Sequence, residues 1–202
     1  MEKEGSKKEQ ILDAAMQCFS RFGLQKSTMD DIAHVLGMKK ASLYYYYKNK
    51  EAIFIDAIER DVLAAKAQME KKLINTKTCT DKMHMYIDTM VDHFGNRKEF
   101  FELNLSTVVE NNAIIQKIRS QINCSSIEFF SETIKEGIKS GEFAQGEHKS
   151  LGKLLHSFLE ARRIEFLYNS LQDRNKEVDF QILKDDLLMT LDLALNGLKT
   201  RK

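Results

Sequence analysis

The segment from Thr28 to Lys50 concentrates the side chains of this chain that could bind a polyanion. It contains four lysines and a run of four tyrosines, and no acidic residue occurs between Asp31 and Glu51. Ammonium and hydroxyl groups without neighbouring carboxylates suit the phosphates of a nucleic acid, so we interpret the segment as a helix-turn-helix that binds duplex DNA. The candidate DNA contacts are Thr28, Lys39, Lys40, Ser42, Tyr44, Tyr45, Lys48 and Lys50.

Each of these side chains has an expected role on duplex DNA. A helix in the major groove presents its N-terminal half to the base edges, which favours Lys40 and Ser42 as base-reading residues. Tyr44 and Tyr45 can donate a hydroxyl to phosphate or pack a ring on a thymine methyl group. Lys48 and Lys50 are expected to contact the strand backbone. Lys39 could contact a phosphate or read bases. Thr28 offers a further phosphate seat at a helix N-terminus.

Three helices are needed to position this surface. The spacing of apolar residues predicts a first helix over 7–22 that ends at a glycine, a second from Thr28 to the turn at Gly37, and a third over 39–46. Thr28 and Asp31 are predicted to cap the second helix. The residues expected to face the core are Ile11, Ala14, Ala15, Cys18, Phe19, Phe22, Ile32, Val35, Leu36, Leu43 and Tyr47.

The rest of the chain also has helical spacing, so the predicted fold class is all-α with about nine helices. Asn49 is a candidate cap for a long fourth helix over 50–73, and a domain boundary is expected near Lys50. The further predicted helices cover 80–96, 99–110, 112–140, 148–171 and 178–199.

The composition bounds the class of protein. The chain has 202 residues, of which 43% are hydrophobic and 30% charged, enough for a substantial core. No apolar run approaches the roughly 20 residues of a membrane span, and the start of the chain lacks the apolar stretch of a signal peptide, so we expect a cytoplasmic protein without a membrane partner. Three well-separated cysteines argue against a disulfide framework. Residues 1–50 contain nine Lys and Arg against six Asp and Glu, although the whole chain has a net charge of only +1.

Residues for enzyme chemistry are not apparent in the sequence. We find no glycine-rich phosphate loop, no metal-ligand signature and no Ser/His/Asp grouping, and the five histidines are scattered. We therefore expect no enzymatic activity, no cofactor and no metal. His84, Asp88 and Asp92 share one helical face and could bind a divalent metal, but a solvated outer stripe is the favoured interpretation.

Residues 11–58 resemble the N-terminal domain of TetR-family transcriptional regulators. The resemblance implies a homodimer that binds a near-palindromic operator, usually as a repressor, and releases it when a small molecule enters the C-terminal domain. On this basis we predict a DNA-binding domain over 1–50 and an effector-binding and dimerisation domain over 51–202. The residues that carry the resemblance are Ala14, Ala15, Phe19, Gly23, Thr28, Ile32, Ala33, Gly37, Leu43, Tyr44, Lys50 and Glu51.

Three positions depart from the pattern of the family. Lys39 stands where a serine or threonine commonly caps the recognition helix, and a lysine cannot cap in that way. Ala41 replaces a frequent glycine. Tyr47 replaces a usual phenylalanine, so its hydroxyl needs a partner. These departures leave the operator sequence unpredictable.

The predicted fifth to eighth helices could line an effector pocket. Their methionines and phenylalanines would form an adaptable surface suited to a hydrophobic effector, although ordinary core is the favoured interpretation for any one of them. Arg162 or Arg163 could hold an effector carboxylate or phosphate, but a charge pair with Glu160 or Glu165, or one across a dimer seam, is favoured. The candidate ligand-binding residues are Tyr86, Met90, His93, Phe94, Phe101, Asn104, Ile122, Phe130 and Arg163.

The last two predicted helices are expected to form a dimer seam. The apolar surface of the ninth is wider than a single core face requires, and two recognition helices must reach major grooves about 34 Å apart. The candidate interface residues are Leu151, Leu155, Phe158, Phe180, Leu187, Leu191 and Leu195.

Two functional hypotheses follow. In the first, an effector among the fourth to seventh helices tilts the fourth helix, changes the separation of the two DNA-binding heads and so weakens operator binding. In the second, the chain is a helical ligand-binding or protein-interaction module without specific DNA binding.

Overall fold

Eight helices make up the part of the chain that the computed structural model describes, which is residues 2–95, 113–172 and 178–199. They are α1 (Glu2–Lys26), α2 (Met29–Val35), α3 (Lys40–Tyr46), α4 (Lys50–Leu73), α5 (Cys79–Gly95), α6 (Ala113–Ser140), α7 (His148–Gln172) and α8 (Phe180–Leu198). Within these residues the β-type pairing is an isolated bridge between Phe143 and Lys199. The all-α prediction is confirmed; the helix predicted over 99–110 lies outside the described residues.

The chain divides into two compact units. The described part of the first unit is residues 2–66 and 113–114, and that of the second is 67–95, 115–172 and 178–199. The units therefore divide inside α4, whereas the predicted boundary lies at its first residue. Helix α4 contributes residues to both units.

Apolar residues of the first four helices form the core of the first unit. The rings of Phe19 and Phe54 meet edge to face, with their centroids 5.5 Å apart. Burial of such side chains is the main force that holds short helices together, because helices of seven residues are unstable alone. Further buried residues of this unit are Ile11, Ala15, Leu24, Ile32, Leu43 and Ile53.

The turn between α1 and α2 depends on Gly23 and Ser27. Gly23 has φ 77° and ψ 159°, a conformation that glycine adopts readily, and it ends the regular part of α1 as predicted. The buried Ser27 hydroxyl lies 2.8 Å from the carbonyl oxygen of Gly23 and 3.1 Å from that of Cys18. These contacts fix the point at which α2 begins.

Two predicted core residues of the first unit are exposed instead. Phe22 is 45% exposed, and the guanidinium of Arg21 lies 5.1 Å from the centre of its ring. Val35 is 50% exposed. Both residues lie at the end of a helix, where the chain turns away and the helical spacing no longer determines which way a side chain points.

Polar contacts join α1 to α4 at the edge of this core. The Arg60 guanidinium lies 2.9 Å from Glu9 Oε2 and 2.9 Å from Asp13 Oδ1. Tyr47 is buried as predicted, and its hydroxyl has the partner it requires in Asp56. Burial and this hydrogen bond raise the pKa of Tyr47, so the phenol remains protonated.

The core of the second unit is formed by α5 to α8. Helix α8 packs against both α5 and α7. Helices α6 and α7 approach closely at Gly152, where an added Cβ would lie 2.6 Å from the backbone nitrogen of Ser131. Deeply buried residues of this unit include Met83, Ile87, Phe130, Ile134, Phe143, Leu191 and Leu195.

The turn after α6 caps the start of α5. The Glu142 carboxylate accepts hydrogen bonds from the backbone N–H of Cys79 at 2.7 Å and of Thr80 at 2.9 Å, and from the Thr80 hydroxyl at 2.6 Å. Two residues further on, the Ala144 N–H donates to the Leu198 carbonyl at 2.7 Å. One turn therefore joins the beginning of α5 to the end of α8.

Candidate nucleic-acid interface

Helix α2 begins with the predicted capping pair. The Asp31 N–H donates to the Thr28 hydroxyl oxygen at 3.1 Å, while the Asp31 carboxylate accepts from the Thr28 N–H at 2.8 Å and from its hydroxyl at 2.6 Å. Hydrogen bonds from the Thr28 side chain and backbone lower the pKa of Asp31. Because the Thr28 hydroxyl proton is engaged by Asp31, Thr28 acts in this structure as a cap of α2.

Helix α3 presents a polar outer face and is anchored by two residues. Leu43 and Tyr47 are buried, as predicted. Ser42 and Tyr44 are exposed, and Tyr45 is 77% exposed. A short helix whose inner side is fixed and whose outer side carries hydroxyls is suited to lie in the major groove of DNA.

Lys39 and Lys48 lie on either side of α3 and are exposed. Lys39 precedes the helix with an extended backbone, φ −72° and ψ 140°, and makes no side-chain capping bond. This confirms that lysine does not replace the serine or threonine cap of the family pattern. Two exposed ammonium groups at opposite ends of α3 could follow the phosphates of one strand.

Lys40 has a partner that the sequence did not predict. Its ammonium nitrogen lies 2.5 Å from Asp30 Oδ2, and this hydrogen bond is the main cause that raises the pKa of Lys40. The predicted acid-free surface rests on the order of residues along the chain after Asp31. In the structure, Asp30 reaches α3 from the first turn of α2. The paired carboxylate is thus part of the candidate surface.

Lys50 is half-buried and bonds to the backbone of the protein. Its ammonium group donates to the carbonyl oxygens of Gln25 and Ser27, both at 2.8 Å. Asn49 accepts from the Ala52 N–H at 2.9 Å and caps α4, as predicted. Lys50 therefore joins the start of α4 to the turn that precedes α2, and two of its three protons are engaged there.

Several candidate ligand-binding residues lie in the interior of the second unit, and others do not. Tyr86 stacks on Phe129 with ring centroids 4.7 Å apart and meets the buried Phe130 edge to face at 5.0 Å. Met90 and His93 are half-buried, and Ile122 is exposed. The side chains of Phe94, Phe101 and Asn104 lie outside the described residues.

Helices α5, α6 and α7 of this unit each carry buried polar side chains. The Tyr86 hydroxyl lies 2.6 Å from the Ser126 hydroxyl. Burial raises the pKa of Tyr86 and lowers that of His156. Thr89 Oγ1 and His156 Nε2 are buried, and neither has a hydrogen-bond partner among the described residues. Sequence reasoning missed Ser126 and Thr89, whose only signal was that they interrupt apolar stripes.

Both arginines of the doublet form charge pairs, which confirms the favoured prediction. Arg163 donates from Nε and Nη2 to the Glu160 carboxylate, each at 2.7 Å. Arg162 pairs with Asp186 at 2.7 Å and with Glu165 at 2.6 Å. A carboxylate ligand that used Nε and Nη2 of Arg163 would therefore have to displace Glu160.

The stripe of His84, Asp88 and Asp92 forms contacts between α5 and α8. His84 Nε2 lies 2.7 Å from Asp192 Oδ1. Lys184 lies 3.4 Å from Asp88 and 2.7 Å from Asp92. The stripe thus forms interhelical pairs on a partly exposed face of α5.

Two sequence families match most of the chain. "Bacterial regulatory proteins, tetR family" matches residues 11–57, and "QacR-like protein, C-terminal region" matches residues 63–191, which is more than half of the chain. This chain belongs to the TetR family. The first match contains the capped α2, the exposed face of α3 and the start of α4, so TetR-family membership and the geometry of the candidate interface agree.

Individual TetR-family relatives extend the similarity along most of the chain. The fatty acid metabolism regulator protein of Bacillus subtilis is 27% identical over 149 residues, which cover 72% of this chain and 75% of that protein. A transcriptional regulator from Cytophaga hutchinsonii has a solved structure that is 26% identical, with a TM-score of 0.78 over 95% of this chain and 98% of that one. The regulator FadR from Bacillus subtilis, solved in complex with stearoyl-CoA, has a TM-score of 0.76 at 21% identity and covers 94% of this chain and 98% of that chain.

The predicted dimer residues of this TetR-family chain separate into two groups. Leu155, Leu187, Leu191 and Leu195 are buried within the chain itself, because their side of α7 and α8 packs into the core of the second unit. Leu151 and Phe180 are half-buried, and Phe158 is 56% exposed. The four buried leucines therefore cannot meet a partner subunit directly, which corrects this part of the prediction.

Other apolar side chains of α7 and α8 lie on the surface. On α8, Ile182, Met189 and Leu193 are separated by seven and four residues, which places them along one side of that helix. An exposed apolar surface on two packed helices is typical of an interface. These residues, which the sequence prediction did not select, are Leu154, Tyr168, Ile182, Met189 and Leu193.

No helix in the described ranges combines the length and the apolar character that crossing a membrane requires.

Proposed function

We propose that this TetR-family protein is a ligand-responsive repressor that binds a near-palindromic operator as a homodimer and releases it when a small hydrophobic or amphipathic effector binds. The exposed face of α3, held by the buried Leu43 and Tyr47, is the observation that carries this proposal. A regulator of this kind acts on DNA in the bacterial cytoplasm.

The proposed DNA contacts divide by role. Lys40 and Ser42 read base edges from the N-terminal half of α3, and Tyr44 and Tyr45 contact phosphate or a thymine methyl group. Lys39 and Lys48 contact the strand backbone. Thr28 and Lys50 contribute mainly by positioning, since their polar groups bond within the chain.

A test of DNA binding uses the DNA upstream of the gene for this protein and a scrambled duplex of the same length. The affinity for each duplex is measured by fluorescence anisotropy at rising salt. A DNA binder should lose affinity steeply, with a slope of about −0.9 per phosphate contacted. Equal affinity for the upstream and scrambled duplexes at every salt concentration would contradict operator recognition.

The proposed dimer uses the exposed apolar surface of α7 and α8. Packing two copies of this surface would remove Phe158, Met189 and Leu193 from water, and the gain in free energy grows with the apolar area buried. The symmetry of such a pair would match a near-palindromic operator, with two recognition helices about 34 Å apart.

The dimer is tested by sedimentation velocity on two matched variants. Leu193→Glu places a charge in the proposed seam, and Leu63→Glu places one on α4, where the leucine is similarly exposed. We expect Leu193→Glu to yield monomers at concentrations where the wild type and Leu63→Glu are dimers. Dimers of unchanged strength in Leu193→Glu would place the seam elsewhere.

The proposed effector site lies inside the second unit, around Tyr86. Aromatic rings provide an apolar lining, Ser126 contacts the Tyr86 hydroxyl, and the unit also contains the buried polar groups of Thr89 and His156. Buried polar atoms normally have partners, so the unpaired groups of Thr89 and His156 favour a ligand with a hydroxyl, carbonyl or amide group. The Bacillus subtilis complex with stearoyl-CoA makes a long-chain acyl compound the first effector to test.

The induction test measures operator affinity with stearoyl-CoA and with coenzyme A alone. We expect the acyl compound to weaken operator binding about 5- to 150-fold, the usual range of coupling between two sites, and coenzyme A alone to have no effect. Since α4 contributes residues to both units, we propose that it transmits the change. Equal operator affinities in the presence of stearoyl-CoA and of coenzyme A alone would contradict the induction hypothesis for stearoyl-CoA.

A further inference from the structure

Asp30 and Lys40 form a pair on the surface that we propose contacts DNA. The two charged atoms are 2.5 Å apart, and both side chains are at least half exposed. Asp30 lies in the first turn of α2, and Lys40 is the first residue of α3. The pair therefore joins the N-terminal ends of the two helices of the helix-turn-helix motif.

The neighbouring carboxylate cannot take the place of Asp30. Asp31 accepts hydrogen bonds from the backbone and the hydroxyl of Thr28 and is committed to the cap of α2. The first turn of α3 contains no acidic residue. Asp30 is thus the carboxylate that α2 supplies to the start of α3.

Two physical effects follow from this pair. The N-terminus of a helix carries a partial positive charge, which disfavours the ammonium group of Lys40, and the carboxylate of Asp30 offsets that repulsion. The carboxylate also holds the long lysine side chain in one direction, which restricts the phosphates that its ammonium group can reach.

We propose that Asp30 is a specificity-determining residue, which holds Lys40 for base contact and suppresses its attraction to phosphates of any sequence. This inference rests on the proposed DNA-binding function. An ammonium group that already has a carboxylate partner gains less from a phosphate, because binding exchanges one anion for another. A correctly placed base edge, in contrast, accepts from Lys40 without displacing Asp30, since an ammonium group has three protons.

The test compares wild type with Asp30→Asn, which retains the shape of the side chain and removes its charge. The probes are the tightest duplex selected from a random pool by the wild-type protein and a scrambled duplex of equal length. For Asp30→Asn we expect the affinity for the scrambled duplex to rise about two- to fivefold, the range for one exposed charge pair. The salt slope on that duplex should become steeper by up to about 0.9, which corresponds to one additional phosphate contact. Affinity for the selected duplex should rise less, so that the ratio of the two affinities falls.

Three further variants separate this role from a general charge effect. Asp30→Glu keeps the charge and should retain the ratio of affinities. Glu59→Gln removes one exposed carboxylate from α4 of the same unit and should leave the ratio unchanged. In a Lys40→Ala background, Asp30→Asn should no longer change the ratio, because its effect is exerted through Lys40.

The outcomes distinguish this inference from the function on which it rests. If the wild-type protein selects no duplex from the pool, the DNA-binding proposal itself fails. If it selects one but Asp30→Asn changes both affinities by the same factor, DNA binding stands and the specificity role of Asp30 is wrong. An effect of Asp30→Asn that persists in the Lys40→Ala background also overturns the role, since it would show a general effect of surface charge.

Discussion

The two units place the polar groups of their proposed sites in opposite surroundings. In the first unit, Ser42, Tyr45 and the Asp30–Lys40 pair lie on the surface, and the apolar core beneath them only holds them in place. In the second unit, Thr89 is fully buried and Tyr86 packs against the buried Phe130. A polyanion binds at a surface, whereas a small apolar molecule is enclosed, so the two arrangements suit the two proposed sites.

The largest expected effects come from the residues that hold each arrangement. Leu43→Ala should lower the free energy of unfolding by about 2–5 kcal/mol, because it leaves a cavity beneath α3, and should abolish operator binding. Leu191→Ala should cost a similar amount in the second unit. Urea denaturation measures the free energy of unfolding of both variants.

Leu193→Ala is the control for this pair of variants. Leu193 is 70% exposed and lies two residues from Leu191 on the same helix. Its truncation should change the free energy of unfolding of monomeric protein by less than about 0.5 kcal/mol. A large decrease in the free energy of unfolding of Leu193→Ala monomers would mean that Leu193, and not Leu191, lies on the core-facing side of α8.

The next effect separates Lys50 from Lys48. Lys50→Met removes the donor to two backbone carbonyls and should lower the free energy of unfolding by about 1–3 kcal/mol. Lys48→Met should leave stability nearly unchanged and make the salt slope of DNA binding shallower by about 0.9. If Lys50→Met kept full stability and changed only the salt slope, its role would be the phosphate contact predicted from the sequence.

A smaller effect concerns the cap of α5. Although partial burial raises the pKa of Glu142, hydrogen bonds from Thr80 and Cys79 outweigh it and lower the pKa from the ordinary value of 4.5. The carboxylate therefore stabilises the fold above that value, and the contribution is lost as the pH falls through the lowered pKa. Glu142→Gln should cost about 1 kcal/mol at neutral pH and should remove this part of the acid sensitivity.

The control for Glu142→Gln is a comparison at acidic pH. Below the lowered pKa, the wild type carries a neutral carboxyl group at position 142, so the two proteins should unfold at nearly the same urea concentration. Urea titrations at neutral and acidic pH measure the difference. A constant difference at all pH values would show that the ionisation of Glu142 contributes nothing to the cap.

The smallest effect is chemical and not energetic. Cys124 is exposed, while Cys18 and Cys79 are buried. Burial is the main cause that raises the pKa of Cys18 and raises that of Cys79 to about 11. Because the thiolate is the reactive form, a thiol reagent should label Cys124 rapidly and the other two only on unfolding. Rapid labelling of all three in native protein would show that the cores open readily.

The features that could be predicted from the sequence depend on near neighbours along the chain. The Thr28–Asp31 cap and the Asn49 cap span three residues each. Leu43 and Tyr47 follow from helical spacing. In such cases the residue types and their separation determine the contact almost completely.

The features that could not be predicted join distant residues. Asp30 and Lys40 are ten residues apart, and the carbonyl partners of Lys50 lie 25 and 23 residues before it. Glu142 caps a helix that begins 63 residues earlier. The prediction for α8 was wrong in part for the same reason, because a wide apolar surface does not show which of its sides packs against α5 and α7.

The turn of Glu142 and Ala144 also bears on how this protein could be engineered as a biosensor. A deletion that removed Leu198 would take away the acceptor of the Ala144 N–H and would disturb the turn that caps α5. A fluorescent reporter fused in place of the end of α8 would therefore perturb the interior of the second unit as well as its surface. Fusion after an intact Leu198 preserves this junction. The site of attachment therefore determines whether the reporter perturbs the structure that it is meant to monitor.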